Sequence, residues 1–512
     1  MARTKNSILN ILSSAGGQII SIILSFVTRT VFIYCLGKAY LGLNGLFTQI
    51  LSVLSLAELG FGTAVVYMLY KPLVDHDEDS IACILNFLKR VYRVIGVIIF
   101  VLGISLTPFL HIFIKMDISI PINYHIIYIM YLIDSVTTYM CFAYRSSLLV
   151  ADQKTYITKI YDYLFTVVFI IIEITIIVVL KNYYLYILAR IAKNLTYNLC
   201  VAMIVKRNYP YITKKSSKKL DKSVLNKLKE DIYALSLNKI ANTVLNSTDN
   251  LLISTFIGIS VVGLYSNYAY IVTTVGSMIG VCFNPLVASL GNLVVTSSKE
   301  KIREIFERIK FINFKLVSFC TICLMTLFSP FIRVWVGDEY ILPNIVVYSI
   351  VALFFVRQME NTTYIFRMSC GAFQQKKYIP LQTALINLVL SIVLIRPLGL
   401  AGIFIGTVIS RLTTTFIIDP LIVYKDLIKG NVYEYYIDWG KTLIQTILGI
   451  FIFNNLISRF SLDTFNDFFI ISIIFAVGIA LYVFVIDFRD KQWNYFFNLL
   501  KTVKCRKQEG GK

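Results

Sequence analysis

A charged side chain at bilayer depth costs about 2.5–3.5 kcal/mol on the insertion scale. Ionisable residues inside long apolar runs are therefore the first candidates for chemistry. The cations are Arg29, Arg190, Lys193, Lys239, Arg357 and Arg411; the carboxylates are Glu58, Asp134, Glu173, Asp249 and Glu360. Cationic side chains in such surroundings hold anionic oxygens through charge-assisted hydrogen bonds, and Arg29, Lys193, Arg357 and Arg411 are the set hardest to assign to internal pairing alone. The carboxylates are candidates for carrying H+ or Na+, or for serving as counter-ions. Arg357 and Glu360 stand three residues apart on one helix and can neutralise each other. Asn238, Asn242, Asn246 and Asp249 recur at i, i+4, i+8 and i+11 and make one polar stripe, suited to a hydrophilic wall or to hydrogen bonding between helices. Arg145 and Arg367 sit near the ends of their runs, where a long side chain snorkels to the headgroups, and Asp419, before Pro420, marks the end of another.

Other chemistry finds no footing. The nine Cys are scattered through apolar stretches, and His76, His111 and His125 have no metal-ligand spacing. The one CxxC, Cys320 to Cys323, lies inside an apolar run and reads as helix packing rather than a zinc or redox motif. There is no P-loop, GxGxxG or HExxH. No cofactor or metal is expected, and the chain is not expected to be an enzyme.

The elements that must position these residues follow from composition. Of 512 residues, 57% are AVILMFWYC and 15% are charged, against roughly 25% charged in a soluble domain. A crossing helix needs about 20 apolar residues. Windows of that kind fall near 7–36, 41–70, 91–114, 122–149, 160–180 and 184–205, then near 232–257, 261–290, 311–332, 344–369, 379–395, 400–424, 441–457 and 468–487. The expectation is an all-α polytopic membrane protein of about fourteen spans. The first run begins with a basic flank and small residues like a signal peptide, but it continues to Leu36, too long for a cleaved leader.

The net charge of +20 fits topology rather than nucleic acid, because cytoplasmic loops collect Lys and Arg. With both termini cytoplasmic, the outer loops hold only Lys38, Lys115, Lys181, Arg333, Arg396 and Arg459 of the 49 basic residues.

An internal repeat organises the spans. Leu36-Gly37-Lys38-Ala39-Tyr40-Leu41-Gly42-Leu43 is echoed by Ile257-Gly258-Ile259-Ser260-Val261-Val262-Gly263-Leu264 at an offset of 221, and Tyr144-Arg145-Ser146-Ser147 by Phe366-Arg367-Met368-Ser369 at 222. An offset of six spans relates the halves by a pseudo-two-fold along the membrane normal. The expected organisation is an N-lobe at 1–205, a basic cytoplasmic linker at 206–231, a C-lobe at 232–424, two additional spans at 425–487 and a basic cytoplasmic tail at 488–512.

The six-plus-six-plus-two count, the G-x4-G-L turn after spans one and seven, and Ser247-Thr248-Asp249-Asn250-Leu251-Leu252-Ile253-Ser254 resemble the polysaccharide flippase branch of the multidrug/oligosaccharidyl-lipid/polysaccharide exporter superfamily. Arg29-Thr30-Val31-Phe32-Ile33 leading to Tyr40-Leu41-Gly42-Leu43-Asn44-Gly45-Leu46-Phe47 resembles its bacterial capsule and O-antigen members. That resemblance implies movement of an undecaprenyl-diphosphate-linked oligosaccharide from the inner to the outer leaflet of the bacterial cytoplasmic membrane, through a cleft between two lobes that opens alternately to each side. Arg29, Lys193, Arg357 and Arg411 then become candidates for the diphosphate, and Asn238, Asn242 and Asn246 for a wall facing the sugars. Expected partners are the lipid-linked oligosaccharide, membrane lipids, H+ or Na+, and polysaccharide polymerase and assembly proteins, with the chain a monomer. Two competing readings are a drug or cation exporter of the same superfamily and, behind it, a membrane polysaccharide polymerase or glycosyltransferase. The deep charges, six cations to five carboxylates, separate the first two only thinly, and the short outer segments disfavour the third.

Overall fold

Hydrocarbon offers backbone N–H and C=O groups no partners, so a lipid-embedded segment must close its hydrogen bonds within itself, which the helix does. The computed structural model is built of helices, with no strand among the described residues, which are 2–493 except 59–60, 115–121, 142, 214–221, 284–289, 291–292, 295–296, 370–377, 461, 463 and 489. Each of the fourteen apolar windows falls on a helix or on a pair of helices separated by a short joint. Among the described residues, nine helices are long and apolar enough to cross a membrane, and Tyr124–Met140 with Ala143–Ala151, bent by 43°, is long and apolar enough only as a pair. The windows that fall short lie on Tyr183–Asn208, Lys222–Phe256, Ile259–Phe283 and the pair Asn344–Met359 and Asn361–Ser369. Polar and charged residues dilute them, Arg190, Lys239, Asn267 and Glu360 among them. The chain is an all-α polytopic membrane protein.

Local chemistry sets the helix ends. Asp77 accepts from the Ser80 backbone N–H (3.0 Å) to start Glu78–Leu106, and Asn182 accepts from that of Leu185 (3.2 Å) to start Tyr183–Asn208. Gly37 and Gly258, the repeated turn glycines, adopt φ of 85° and 155°, a region that favours a residue without a Cβ.

The chain forms two compact units, Met1–Ala269 with Pro380–Leu388, and Tyr270–Ile379 with Val389–Lys512. In the first, Leu43, Leu46 and Phe47 of Lys38–Leu54 are fully buried. A Cβ on Gly42 would lie 2.2 Å from the Ile259 carbonyl oxygen, and one on Gly263 would lie 2.1 Å from that of Lys38. Gly42 and Gly263 are repeat equivalents at offset 221, as are Lys38 and Ile259. The contact is therefore reciprocal, as a local two-fold requires.

In the second unit the long helix Lys299–Val336 packs against Tyr433–Ile457 and Phe465–Val485. Ile322, Phe453, Ile457, Phe475, Ile479 and Val483 make their core, with Cys323 packed on it. Cys323 of the CxxC thus contributes to helix packing. Side chains on the opposite faces, such as Val94, Val97 and Val101 or Phe469, Ile473 and Val477, are at least half exposed, as lipid-facing positions are.

Candidate functional site

Several of the charges carried by apolar helices sit at helix breaks or meet a residue of opposite sign on another helix. Glu360 stands at the joint between Asn344–Met359 and Asn361–Ser369, and a second joint at Thr414 separates Leu400–Thr413 from Thr415–Ile422. The two joints meet. Arg411 Nη1 donates to Glu360 Oε2 (2.8 Å), and the Thr415 hydroxyl donates to Glu360 Oε1 (2.8 Å). The pairing of Glu360 with Arg357 expected from their i,i+3 spacing is thereby corrected. Both carboxylate oxygens are taken from the neighbouring helix, while Arg357 is exposed.

Arg367 is buried and donates through Nη1 to Asp419 Oδ1 (2.7 Å), itself buried. Snorkelling to headgroups is corrected here, because a guanidinium that meets a carboxylate inside the protein has no need of the interface. Its repeat equivalent Arg145 is half-buried and donates through Nη1 to the Ala202 carbonyl (3.0 Å).

A second network lies in the first unit. Arg190 Nε stands 3.3 Å from Asp134 Oδ2, and Asn194 Nδ2 donates to Asp134 Oδ1 (2.5 Å). The Arg190 guanidinium also sits over the Tyr131 ring, 5.1 Å from its centroid. The Tyr131 hydroxyl donates to Asn44 Oδ1 (2.5 Å) and lies 3.0 Å from that of Tyr183. Glu173 is buried on Thr155–Thr175, within electrostatic reach of Arg190 and Lys193, and Lys193 Nζ is 3.9 Å from Asp162.

Arg29 donates through Nε to Asn267 Oδ1 (2.9 Å) and through Nη2 to Ser266 Oγ (2.6 Å). Both of these acceptors are neutral. Glu58 accepts from Lys239 Nζ (2.8 Å) and, at longer range, from the Tyr92 and Tyr139 hydroxyls (3.4 and 3.5 Å), the arrangement of a counter-ion. Asp249 is half-buried on Lys222–Phe256. The side chains of Asn238, Asn242 and Asn246 lie outside the described residues, as do Lys214, Lys215, Lys218 and Lys219 of the basic segment and the tail from 494.

Sequence reasoning missed a third network. Lys315 is buried inside the apolar stretch of Lys299–Val336; it donates to Asp487 and to Gln445 Oε1 (2.9 Å), and Lys441 donates to Asp487 Oδ1 (2.6 Å). Asp487 follows the last helix. Burial pushes its carboxyl up, and the hydrogen bonds from Lys315 and Lys441 more than offset that, holding it below its ordinary value. The signal was a lysine within the window 311–332 and an aspartate closing the window 468–487. Among the described residues no group of three or more His, Cys, Asp or Glu is placed to hold a metal ion.

No family model matches the chain, and no curated protein does either. Solved structures do. The lipid II flippase MurJ in an inward closed conformation aligns over 94% of this chain and 99% of its own, with a TM-score of 0.67 at 15% identity. An inward-facing multidrug resistance MATE family transporter of the MOP superfamily aligns over 77% of this chain and 92% of its own, with a TM-score of 0.60 at 12% identity. The MATE multidrug transporter DinF-BH aligns over 82% and 95%, with a TM-score of 0.57 at 16% identity. At these identities the likeness is one of architecture, and the chain has the fold shared by MATE transporters and MurJ.

Proposed function

We propose that the chain is a flippase that moves an undecaprenyl-diphosphate-linked oligosaccharide from the inner to the outer leaflet of the bacterial cytoplasmic membrane by alternating access. The carrying observation is the extent of the fold likeness. Alignment to the lipid II flippase takes in 94% of this chain, whereas the two multidrug transporters above take in 77% and 82%. An alignment of that length leaves out too little of the chain to omit the two additional helices. In this reading spans within 1–205 and 232–424 form the lobes, 206–231 tethers them, and both termini are cytoplasmic. Arg29, Lys193, Arg357 and Arg411 serve the diphosphate, Asn238, Asn242 and Asn246 face the sugars, and Asp134, Glu173, Asp249 and Glu360 are the carboxylates available to H+ or Na+. Glu58 acts as counter-ion to Lys239.

The energetic rationale is that a diphosphate and a hydrated glycan cannot cross hydrocarbon unaided, while the polyprenyl tail costs nothing by staying in lipid. The protein then works as a monomer without cofactor or covalent chemistry, and hands its product to polysaccharide polymerase and assembly proteins. The test is to delete the chain and fractionate lipid-linked oligosaccharides by leaflet. Accumulation of one of them on the inner leaflet is expected. Unchanged lipid-linked pools together with new sensitivity to cationic drugs would replace this reading with the exporter.

A further inference from the structure

Arg190 and Arg411 are 221 residues apart, the offset that relates the two repeated turns. Each lies on the sixth span of its repeat and meets a carboxylate from the fourth span of the same repeat, Asp134 in one case and Glu360 in the other. The carboxylates do not keep the register. At an offset of 222, Asp134 corresponds to Val356, one helical turn before Glu360. The two repeats thus hold the cation in one place and supply its counter-ion from two.

Burial adds a direction. The Asp134 and Glu360 side chains are 8% and 7% exposed, and the Arg190 and Arg411 side chains 33% and 15%. Each carboxylate has a second, neutral donor at its back, Asn194 or Thr415, so it stays partly satisfied if the guanidinium turns away. Arg411 Nε is buried with no hydrogen-bond partner among the described residues, so one of its five donors is already committed to nothing. A planar guanidinium with donors that its carboxylate does not take has the geometry to take a phosphate oxygen pair.

We propose that Arg190 is a second anion-receiving group, the repeat equivalent of Arg411, and that Asp134 and Glu360 are resident counter-ions which a substrate phosphate displaces. This rests on the flippase reading for the identity of the anion, a diphosphate, but not for the exchange itself. Substrate and internal carboxylate compete for the same guanidinium. Each Arg is therefore neutralised both before loading and after release, and neither guanidinium is left uncompensated in the empty protein.

Competition fixes a sign that a positioning role would reverse. With the purified full chain in lipid nanodiscs, binding of inorganic pyrophosphate and of farnesyl diphosphate would be measured calorimetrically. Glu360→Gln and Asp134→Asn should each bind these probes about tenfold more tightly, the equivalent of about 1.4 kcal/mol, whereas Arg411→Gln and Arg190→Gln should bind them at least tenfold more weakly. Glu360→Asp, which withdraws the carboxylate by one methylene, should shift affinity in the same direction as Glu360→Gln and covers the case in which the amide variant fails to fold. Weaker or unchanged binding in the carboxylate variants, with thermal unfolding midpoints intact, overturns the exchange. If the carboxylate variants tighten on pyrophosphate but the wild type moves no lipid-linked oligosaccharide, the exchange stands and the flippase reading fails.

Discussion

Two helix junctions in this protein solve the same problem in opposite ways. At Gly42 and Gly263 the chain brings backbones into contact by removing side chains altogether, and no ionisable group is involved. At Lys315 the additional C-terminal helices are joined to Lys299–Val336 by a buried ammonium and a buried carboxylate, completed by Gln445 and Lys441. The first junction is repeated within the sequence; the second belongs to helices that have no repeat counterpart. The difference bears on motion. Backbones meeting at glycines separate without stranding a charge, while parting Lys315 from Asp487 would leave a buried ammonium without a counter-ion and Asp487 with Lys441 alone. A junction of the first kind can open, and one of the second kind is built to stay shut.

Breaking the comparison at its tightest point should have the largest effect. A side chain on Gly42 or Gly263 must displace a carbonyl oxygen rather than a flexible side chain, so Gly42→Val and Gly263→Val should each destabilise the protein by about 3 kcal/mol, the upper end of the overpacking range. Because the contact is reciprocal, the two losses should match. The double variant should cost less than their sum, since one displacement relieves both clashes. Gly440, with open space where its Cβ would be, is the control, and Gly440→Ala should be neutral. Thermal unfolding in detergent micelles checks all four, and unequal losses at Gly42 and Gly263 would break the reciprocity.

The ionic junction should match it in size and has a distinctive rescue. Lys315→Met leaves the Asp487 side chain, 5% exposed, with only the half-exposed Lys441, and should cost about 3 kcal/mol, the lower end for removing one partner of a buried pair. Adding Asp487→Leu should restore most of that, because an apolar pair of similar volume replaces the ions without a desolvation penalty. A double variant no more stable than Lys315→Met would show that Asp487 does more than balance Lys315.

How much of this was legible beforehand depended on what kind of information each feature needs. Helix positions were readable because apolar composition over about 20 residues reports burial in lipid directly. The repeated glycine turns were readable because Gly37 and Gly258 stand in matching motifs. Partner choice was not. Glu360 pairs with Arg411 because its helix breaks at that residue, and the stretch Val356-Arg357-Gln358-Met359-Glu360-Asn361-Thr362 contains no Pro or Gly to announce the break. The equivalence of Arg190 and Arg411 was present in the numbering, yet the one-turn shift of their carboxylates hid it from any match by motif. Lys315 escaped because the flank of its helix is rich in basic residues that the topology rule already explained.

The smallest effect sharpens the comparison between the repeats themselves. Arg145 and Arg367 occupy equivalent positions and both tie the fourth span to the sixth, but Arg145 reaches a backbone carbonyl whereas Arg367 reaches a buried carboxylate. Arg145→Met removes the hydrogen bond to the Ala202 carbonyl, a group that leaves no buried charge behind, and about 1 kcal/mol is the expected loss. Arg367→Met takes the guanidinium away from the Asp419 side chain, 3% exposed, and the loss should be larger by about 2 kcal/mol. The asymmetry should vanish when Asp419→Asn is added to Arg367→Met, since a neutral amide needs no counter-ion. Unfolding midpoints of the three variants decide it. Equal losses for Arg145→Met and Arg367→Met would mean that both arginines act through packing of their stems alone, and that the carboxylate of the second repeat adds nothing the carbonyl of the first does not.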